Sequence, residues 1–210
     1  MAKVLGCSHV IKIIAIGNNE VSRDLVFICD TFIEMEDTRN VVDKYKNVPI
    51  EEIVEDLDRQ GVELEIGIEN LERDFNMGTI VRSANAFGVR HVHVIGRRQW
   101  NKRGAMMTDK YLHVHYHSDV AAFELAMGER GRVIIAVDNI DGSEPLVSAD
   151  LPSNAVLVFG QEGPGISEAL VAVARAVVEI EQFGSTRSIN VGVAAGIVMY
   201  EWTRRHNLRK

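Results

Sequence analysis

The sequence predicts an α/β fold, a parallel sheet flanked by helices, and three observations predict it. From residue 62 onward, short apolar runs suited to strands alternate with helical segments, the order that gives a parallel sheet covered on both faces. The apolar share, 46% of 210 residues, is enough for a real core in one sizeable domain with a small appendage. No internal repeat, low-complexity tract or long linker interrupts the alternation.

In chain order, residues 1–61 are expected to form an N-terminal extension or helical appendage, and 62–210 the main domain. Residues 1–36 carry little periodicity and receive no role. Short helices are expected over 38–45 and 49–60. Pro49 suits a first helical turn, Glu51 and Glu52 complement its positive end, and Gly61 follows the stop. Strands are expected over 62–68, 91–95, 133–137, 155–159 and 176–180. Helices are expected over 77–87, 120–128, 167–173 and about 188–204. The last helix is apolar almost all round, through Ile189, Val191, Val193, Ile197, Val198 and Met199, so burial on most sides is expected. Gly192 and Gly196 lie four apart and leave two bare backbone patches on one face. A helical glycine costs up to about 1 kcal/mol against alanine, so close packing should offset it.

Charge and cysteines narrow the function classes. A net charge of −7 argues against broad attraction to nucleic acid or an anionic membrane, but leaves room for a local basic patch. Cys7 and Cys29 alone make neither a disulfide framework nor a zinc site, and free thiols in a reducing cytoplasm are expected. The apolar run at 10–16 is short and interrupted by Lys12, so neither a membrane span nor a signal peptide is expected.

Four stretches carry chemistry. In the first, Asn76 suits an N-cap or turn as the chain leaves a strand, and Arg82 follows inside the helix. Among Ile80, Val81, Ala84 and Ala86, a guanidinium should seek a phosphate or carboxylate; the plain alternative is a surface arginine. The second is the loop at 96–104, where Arg97, Arg98, Lys102 and Arg103 surround Trp100 between two glycines. Cations plus a stacking ring suit single-stranded RNA, against the alternative of a solvated loop. Third, His113, His115 and His117 alternate, so on a strand they share one face; solvent or RNA is their expected neighbour, because no carboxylate or cysteine with ligand spacing accompanies them to make a metal site. The fourth is the strand at 156–159, which ends in the glycine-rich Gly160-Gln161-Glu162-Gly163-Pro164-Gly165. Its glycines allow close backbone approach to a ligand. Glu162 and Pro164 break the dinucleotide fingerprint and no Walker lysine is present, so a ligand with hydroxyl or ammonium groups fits better than a pyrophosphate.

Two of these stretches, with the start of the last helix, match one pattern. N-x-G-x-x-x-R with A-x-A-F-G at 76–88, F-G-x-E-G-x-G-I-S at 159–167, and S-I-N-V-x-V-A at 188–194 resemble, in order, the three motifs of the SpoU-type RNA 2′-O-ribose methyltransferases. The resemblance covers about 62–202, and three linked motifs are far more specific than one. It implies the SPOUT fold, a parallel sheet with a deep C-terminal trefoil knot, a homodimer, and S-adenosylmethionine as cofactor, with no metal. The basic loop ending NKRGAMMTDKY is similar to the branch acting on tRNA or rRNA. By position, Gly160, Ile180 and Ile189 match residues that hold the cofactor, and Gln182 stands in the same turn. Glu162, Ser188, Asn190, Asn76 and Arg82 match the polar site residues, with the counterpart of Arg82 acting on the ribose 2′-hydroxyl. Departures are Ile180-Glu181-Gln182 where relatives often read I-P-M, and Gly192 where they carry serine; nothing in the sequence accounts for Glu181. The competing readings are an RNA-binding relative that does no chemistry and a dinucleotide-dependent oxidoreductase, the latter disfavoured by the missing fingerprint.

Overall fold

The structure, a computed structural model, describes residues 39–70, 74–96, 105, 107–161 and 163–207. The chain divides into two units, Met1–Thr38 and Arg39–Lys210, and the description concerns the second. Both cysteines, the basic residues Arg97, Arg98, Lys102 and Arg103, and Glu162 lie outside the described residues.

The second unit is an α/β fold on one seven-stranded parallel sheet. Its strands are β1 (Glu65–Glu69), β2 (His91–Ile95), β3 (His113–His117), β4 (Val133–Val137), β5 (Glu144–Pro145), β6 (Ala155–Phe159) and β7 (Ala176–Glu179). The order across the sheet is β3-β2-β1-β6-β4-β7-β5. The chain winds outward from β1 to β3, crosses to lay down β4 and the far edge β5, then fills in β6 beside β1 and β7 between β4 and β5. Every strand pairing among the described residues is parallel, so neighbouring carboxyl ends lie on one edge of the sheet.

Helices α1 (Ile50–Gln60), α2 (Asp74–Ala86), α3 (Val120–Glu129), α4 (Glu168–Val173) and α5 (Val191–His206) complete the unit. Side chains alternate across the strands and split the core in two. Ile66, Ile68, Val92, Val94, Leu157 and Phe159 pack with residues of α2 and α5. Ile95, Ile134, Val156 and Val158 pack with Phe123 and Met127 of α3 and Leu170 of α4. A third, small cluster joins Ile53 of α1 to Tyr45 and Tyr111.

Several expectations are corrected. The helix expected over 38–45 is only a 3-10 turn, Asp43–Tyr45, and Pro49 stands at the N-cap of α1, outside its first turn. Helix α2 starts at Asp74, so Asn76 lies inside its first turn and is not its cap. Helix α5 starts at Val191, not Ser188, because the Asn190 side chain accepts from the Gly192 and Val193 amides and fixes the start there. Nor is α5 buried on most sides: Val193, Ile197 and Tyr200 are exposed, while Val198, Met199 and Trp202 enter the core. Trp202 is thereby committed to its own chain, donating from Nε1 to the Pro152 carbonyl at 2.9 Å. Gly192 does pack closely, but against α2: a Cβ there would stand 2.9 Å from Thr79 Cγ2. Strand β5, two residues long and ending in proline, carries no readable periodicity and escaped the sequence reading.

The alternating histidines do lie on a strand, and they are not simply turned to solvent or RNA. On the paired strands β2 and β3, His91 stacks between His113 and His115, and His93 between His115 and His117, with ring centroids 4.9–5.2 Å apart. Nitrogen–nitrogen contacts of 3.0 Å (His91 to His115) and 2.9 Å (His93 to His117) link the rings. His93 ends against buried Glu65, which Arg130 and Arg132 also engage. Among the described residues, no group of three or more His, Cys, Asp or Glu side chains is placed to hold a metal ion. No described helix is long and apolar enough to cross a membrane.

Candidate functional site

A cavity of about 490 Å³ opens off the carboxyl ends of β4, β6 and β7, where ligands of parallel sheets sit. Each strand delivers a different wall. Strand β4 ends in Val137, Asp138 and Asn139; β6 ends in Phe159 and runs into Gly160, Gln161, Gly163 and Gly165; past β7 stand Ile180 and Gln182. Ser188, Ile189, Asn190, Val191 and Ala194, at the mouth of α5, close the fourth side.

The glycine wall is a folded-back loop. Gln161 and Gly165 exchange backbone hydrogen bonds of 2.9 and 3.1 Å, which returns the chain on itself. Gly160 runs so close to the returning strand that a Cβ would strike the Gly165 and Ile166 backbone. Asp138 fastens this loop to β4: its Oδ2 accepts from the Ile166 amide at 2.8 Å, and its Oδ1 from the Asn139 amide at 2.8 Å. Buried Glu69, at the end of β1, accepts from the Ser167 amide at 2.9 Å. A second tie runs from the Asn139 side-chain amide to the Arg187 carbonyl, which joins the polar turn at 182–187 to the loop after β4.

Of the sequence-predicted site residues, Gly160, Ile180, Gln182, Ser188, Ile189 and Asn190 line this one cavity. Asn76 joins them through Asn190, whose Nδ2 donates to Asn76 Oδ1 at 3.1 Å. Arg82 does not join them. It is exposed on α2, without an ion pair or hydrogen bond to a described residue, because Met77, Ile80, Val81 and Ala84 take the buried side of that helix. The helix around Arg82, expected to be mostly buried, is buried on one side only, with Arg82 and Ala86 on the exposed side. Sequence reasoning missed Asp138, Asn139, Gln161, Val191 and Ala194. A signal for the first two was available: they directly follow a strand, at the edge where ligands bind.

Residues 63–200 match the SpoU rRNA Methylase family. The chain belongs to that family. Similar SpoU relatives include the tRNA (guanosine(18)-2'-O)-methyltransferase of Thermus thermophilus, 27% identical over 161 residues that cover 73% of this chain and 80% of the relative. The Escherichia coli K12 enzyme of the same name is 26% identical over 156 residues, covering 73% and 68%. Among solved structures, the Aquifex aeolicus TrmH/SpoU tRNA modifying enzyme superposes with a TM-score of 0.68 at 26% identity, over 76% of this chain and 83% of that one. The S-adenosylmethionine-bound rRNA methyltransferase from Sinorhizobium meliloti shares the fold, with a TM-score of 0.62 at 23% identity over 68% and 56%.

Proposed function

We propose that this protein transfers the methyl group of S-adenosylmethionine to a ribose 2′-hydroxyl of tRNA or rRNA. The observation that carries the reading is the convergence of two SpoU motifs on one cavity, the glycine loop at 160–166 and the Ser188–Asn190 mouth of α5, with Asn76 of the first motif hydrogen-bonded to Asn190. The activity itself comes from the family and from the relatives named above.

The cavity suits the cofactor. Its walls are apolar at Val137, Ile180, Ile189, Val191 and Ala194, as a purine requires, and at Gly160 a Cβ would strike neighbouring backbone. S-adenosylmethionine supplies, when bound, an electrophilic methyl group on a sulfonium. Gly160, Ile180 and Ile189 would hold it through backbone atoms, with Gln182 beside them. Ser188 and Asn190 present hydroxyl and amide groups to the cavity, where the ribose would enter, and buried Asn76 supports them through Asn190. Glu162 belongs to the same loop and is assigned with these polar residues. The protein's contribution is then positioning and charge stabilisation. Arg82, exposed on α2, is assigned to the ribose 2′-hydroxyl. A guanidinium with a pKa above about 12 is a poor base, so it orients the hydroxyl and stabilises the forming alkoxide, or works with an RNA phosphate.

The finer features are proposed on the same footing. The C-terminal segment, from the glycine loop through the 182–190 turn, forms the trefoil knot of the SPOUT fold. Residues 62–210 form the methyltransferase domain and 1–61 its appendage. The protein works as a homodimer through the exposed apolar side of α5. Arg97, Arg98, Lys102 and Arg103 bind RNA, and the RNA substrate places the work in the cytoplasm. No metal takes part.

The test is position-by-position resistance of cellular RNA to alkaline cleavage, with and without the protein, because a 2′-O-methyl blocks that cleavage. One new resistant position is expected in tRNA or rRNA, reproduced with purified protein and S-adenosylmethionine. An unchanged pattern together with no methyl transfer in the purified system overturns the reading.

A further inference from the structure

Among the described residues, three buried side-chain atoms have no hydrogen-bond partner: Asn85 Oδ1, Arg90 Nη2 and Gln182 Oε1. Only Gln182 belongs to the cavity. A buried carbonyl without a donor carries its full desolvation cost in the free protein, and that cost is recovered when a ligand brings an N–H or O–H. The observation concerns a side chain this protein owns, at a position where relatives often carry methionine.

The neighbours of Gln182 restrict which donor it meets. The cofactor offers three kinds: ribose hydroxyls, a charged α-ammonium and the neutral exocyclic amine of adenine. A charged ammonium belongs near a carboxylate or in water, whereas a neutral amide carbonyl matches a neutral amine. Around the cavity, Ile180 and Ile189 stand with Val137, Val191 and Ala194 as apolar surface for the faces of a flat ring. A ring lying against such walls offers its polar groups only at its edge, and Gln182 follows Ile180 by two residues, where an edge can be read. We propose that Gln182 Oε1 accepts a hydrogen bond from the exocyclic amine of the cofactor's adenine, which makes Gln182 the residue that selects a 6-aminopurine. A 6-oxopurine would set a second acceptor against Oε1 and leave both unpaired, a penalty larger than the loss of one contact.

The inference rests on the reading of the cavity as a cofactor site, and its test separates the two. Calorimetry measures binding of S-adenosylhomocysteine and its 6-oxo analogue, S-inosylhomocysteine, to wild type, Gln182→Met and Gln182→Glu. Wild type should prefer the adenine compound by at least about tenfold. Gln182→Met, without the acceptor, should bring the two within about threefold while still binding S-adenosylhomocysteine; Gln182→Glu, which keeps an acceptor oxygen, should retain the preference. Equal binding of the two compounds by wild type, or an undiminished preference in Gln182→Met, overturns the role of Gln182 and leaves the cofactor site standing. Failure of wild type to bind S-adenosylhomocysteine overturns the cofactor site and the inference with it. A wild-type ratio near one overturns the role of Gln182 even where a variant does not fold, and where Gln182→Met fails to fold, Gln182→Ala takes its place in the comparison.

Discussion

Asn190 donates from its side-chain amide to the Asn76 carbonyl at 3.1 Å, across 114 residues of chain, while its own carbonyl caps α5 through the Gly192 and Val193 amides. One side chain thus starts a helix and joins two motifs. Asn76 is buried, so its carbonyl has no solvent to fall back on. Asn190→Ala should cost the cap, about 1 kcal/mol, and leave Asn76 unsatisfied at about 1–3 kcal/mol. Asn190→Ser keeps a cap but is too short to reach Asn76, so it should recover about 1 kcal/mol of that loss. Urea unfolding midpoints at constant m-value measure both. Equal stability of the two variants would show that Asn190 is not acting as a cap.

Gly160 and Gly128 should respond to alanine in opposite directions. A Cβ at Gly160 strikes the Gly165 and Ile166 backbone, neither of which can rotate away. Gly160→Ala should therefore displace the loop that walls the cavity, destabilise the fold by about 1–3 kcal/mol and weaken S-adenosylhomocysteine binding at least about tenfold. Gly128, in the last turn of α3, has nothing within reach of a Cβ. Gly128→Ala should stabilise by up to about 1 kcal/mol through helix propensity and leave binding unchanged. Thermal melts and calorimetry on the pair check the contrast.

Arg82 stands on the exposed side of α2 and is not among the residues that line the cavity. Its removal should leave cofactor affinity within about twofold and abolish methyl transfer, a loss carried by kcat. Single-turnover assays with saturating RNA, beside calorimetry with S-adenosylhomocysteine, separate the two quantities. Wild-type turnover in Arg82→Ala would remove the guanidinium from the reaction.

On α5, Val193, Ile197 and Tyr200 are exposed at spacings of four and three, which puts three apolar side chains on one helical face. Phe87, just past the end of α2, has its ring 6.4 Å from that of Tyr200. The proposed homodimer would cover this face with a second copy of the chain. Ile197→Asp should shift sedimentation from dimer to monomer without loss of secondary structure. A wild-type protein that sediments as a monomer at micromolar concentration would refute the dimer.

The parallel sheet was legible because β4 and β6 are apolar runs whose bounds the residues declare. The glycine loop was legible because backbone crowding at Gly160 leaves no choice of residue. Helix starts were less so. Asn76 reads as a cap by type, but the chain turned helical at Asp74, and the cap of α5 fell to Asn190, not Ser188. Local preference offers several candidate starts, and packing of α2 against α5 selects among them. The position of Asp138 just after β4 was a signal for the site, but its structural role was not legible, because that role comes from a loop 28 residues later, where it accepts from the Ile166 amide. The histidines on β3 read as surface because their partners, His91 and His93, sit on a different strand, and register cannot be read from one strand alone.

That ladder predicts an acid-sensitive sheet edge. Burial, with the charges of Arg130 and neighbouring imidazoles, lowers His91 from 6.5 to about 4; burial, with His93 and Arg130, does the same to His115. Burial, with His93, lowers His117 as well. Burial alone would raise Glu65, but hydrogen bonds from His93 and Arg130 outweigh it and bring the carboxyl from 4.5 to about 2. Both kinds of group make the unfolded chain bind more protons than the folded one, so stability rises with pH. The histidine contribution is complete above 6.5 and is lost as pH falls from there towards 4; that of Glu65 is complete above 4.5 and is lost towards 2. Between pH 6.5 and 4.5 only the imidazoles act. The melting temperature should therefore fall with acidification across that window, and more shallowly when His91 and His115 are both replaced by glutamine, which cannot gain a proton there. A slope unchanged by the double replacement would show that the stacked imidazoles do not set the acid sensitivity of β3.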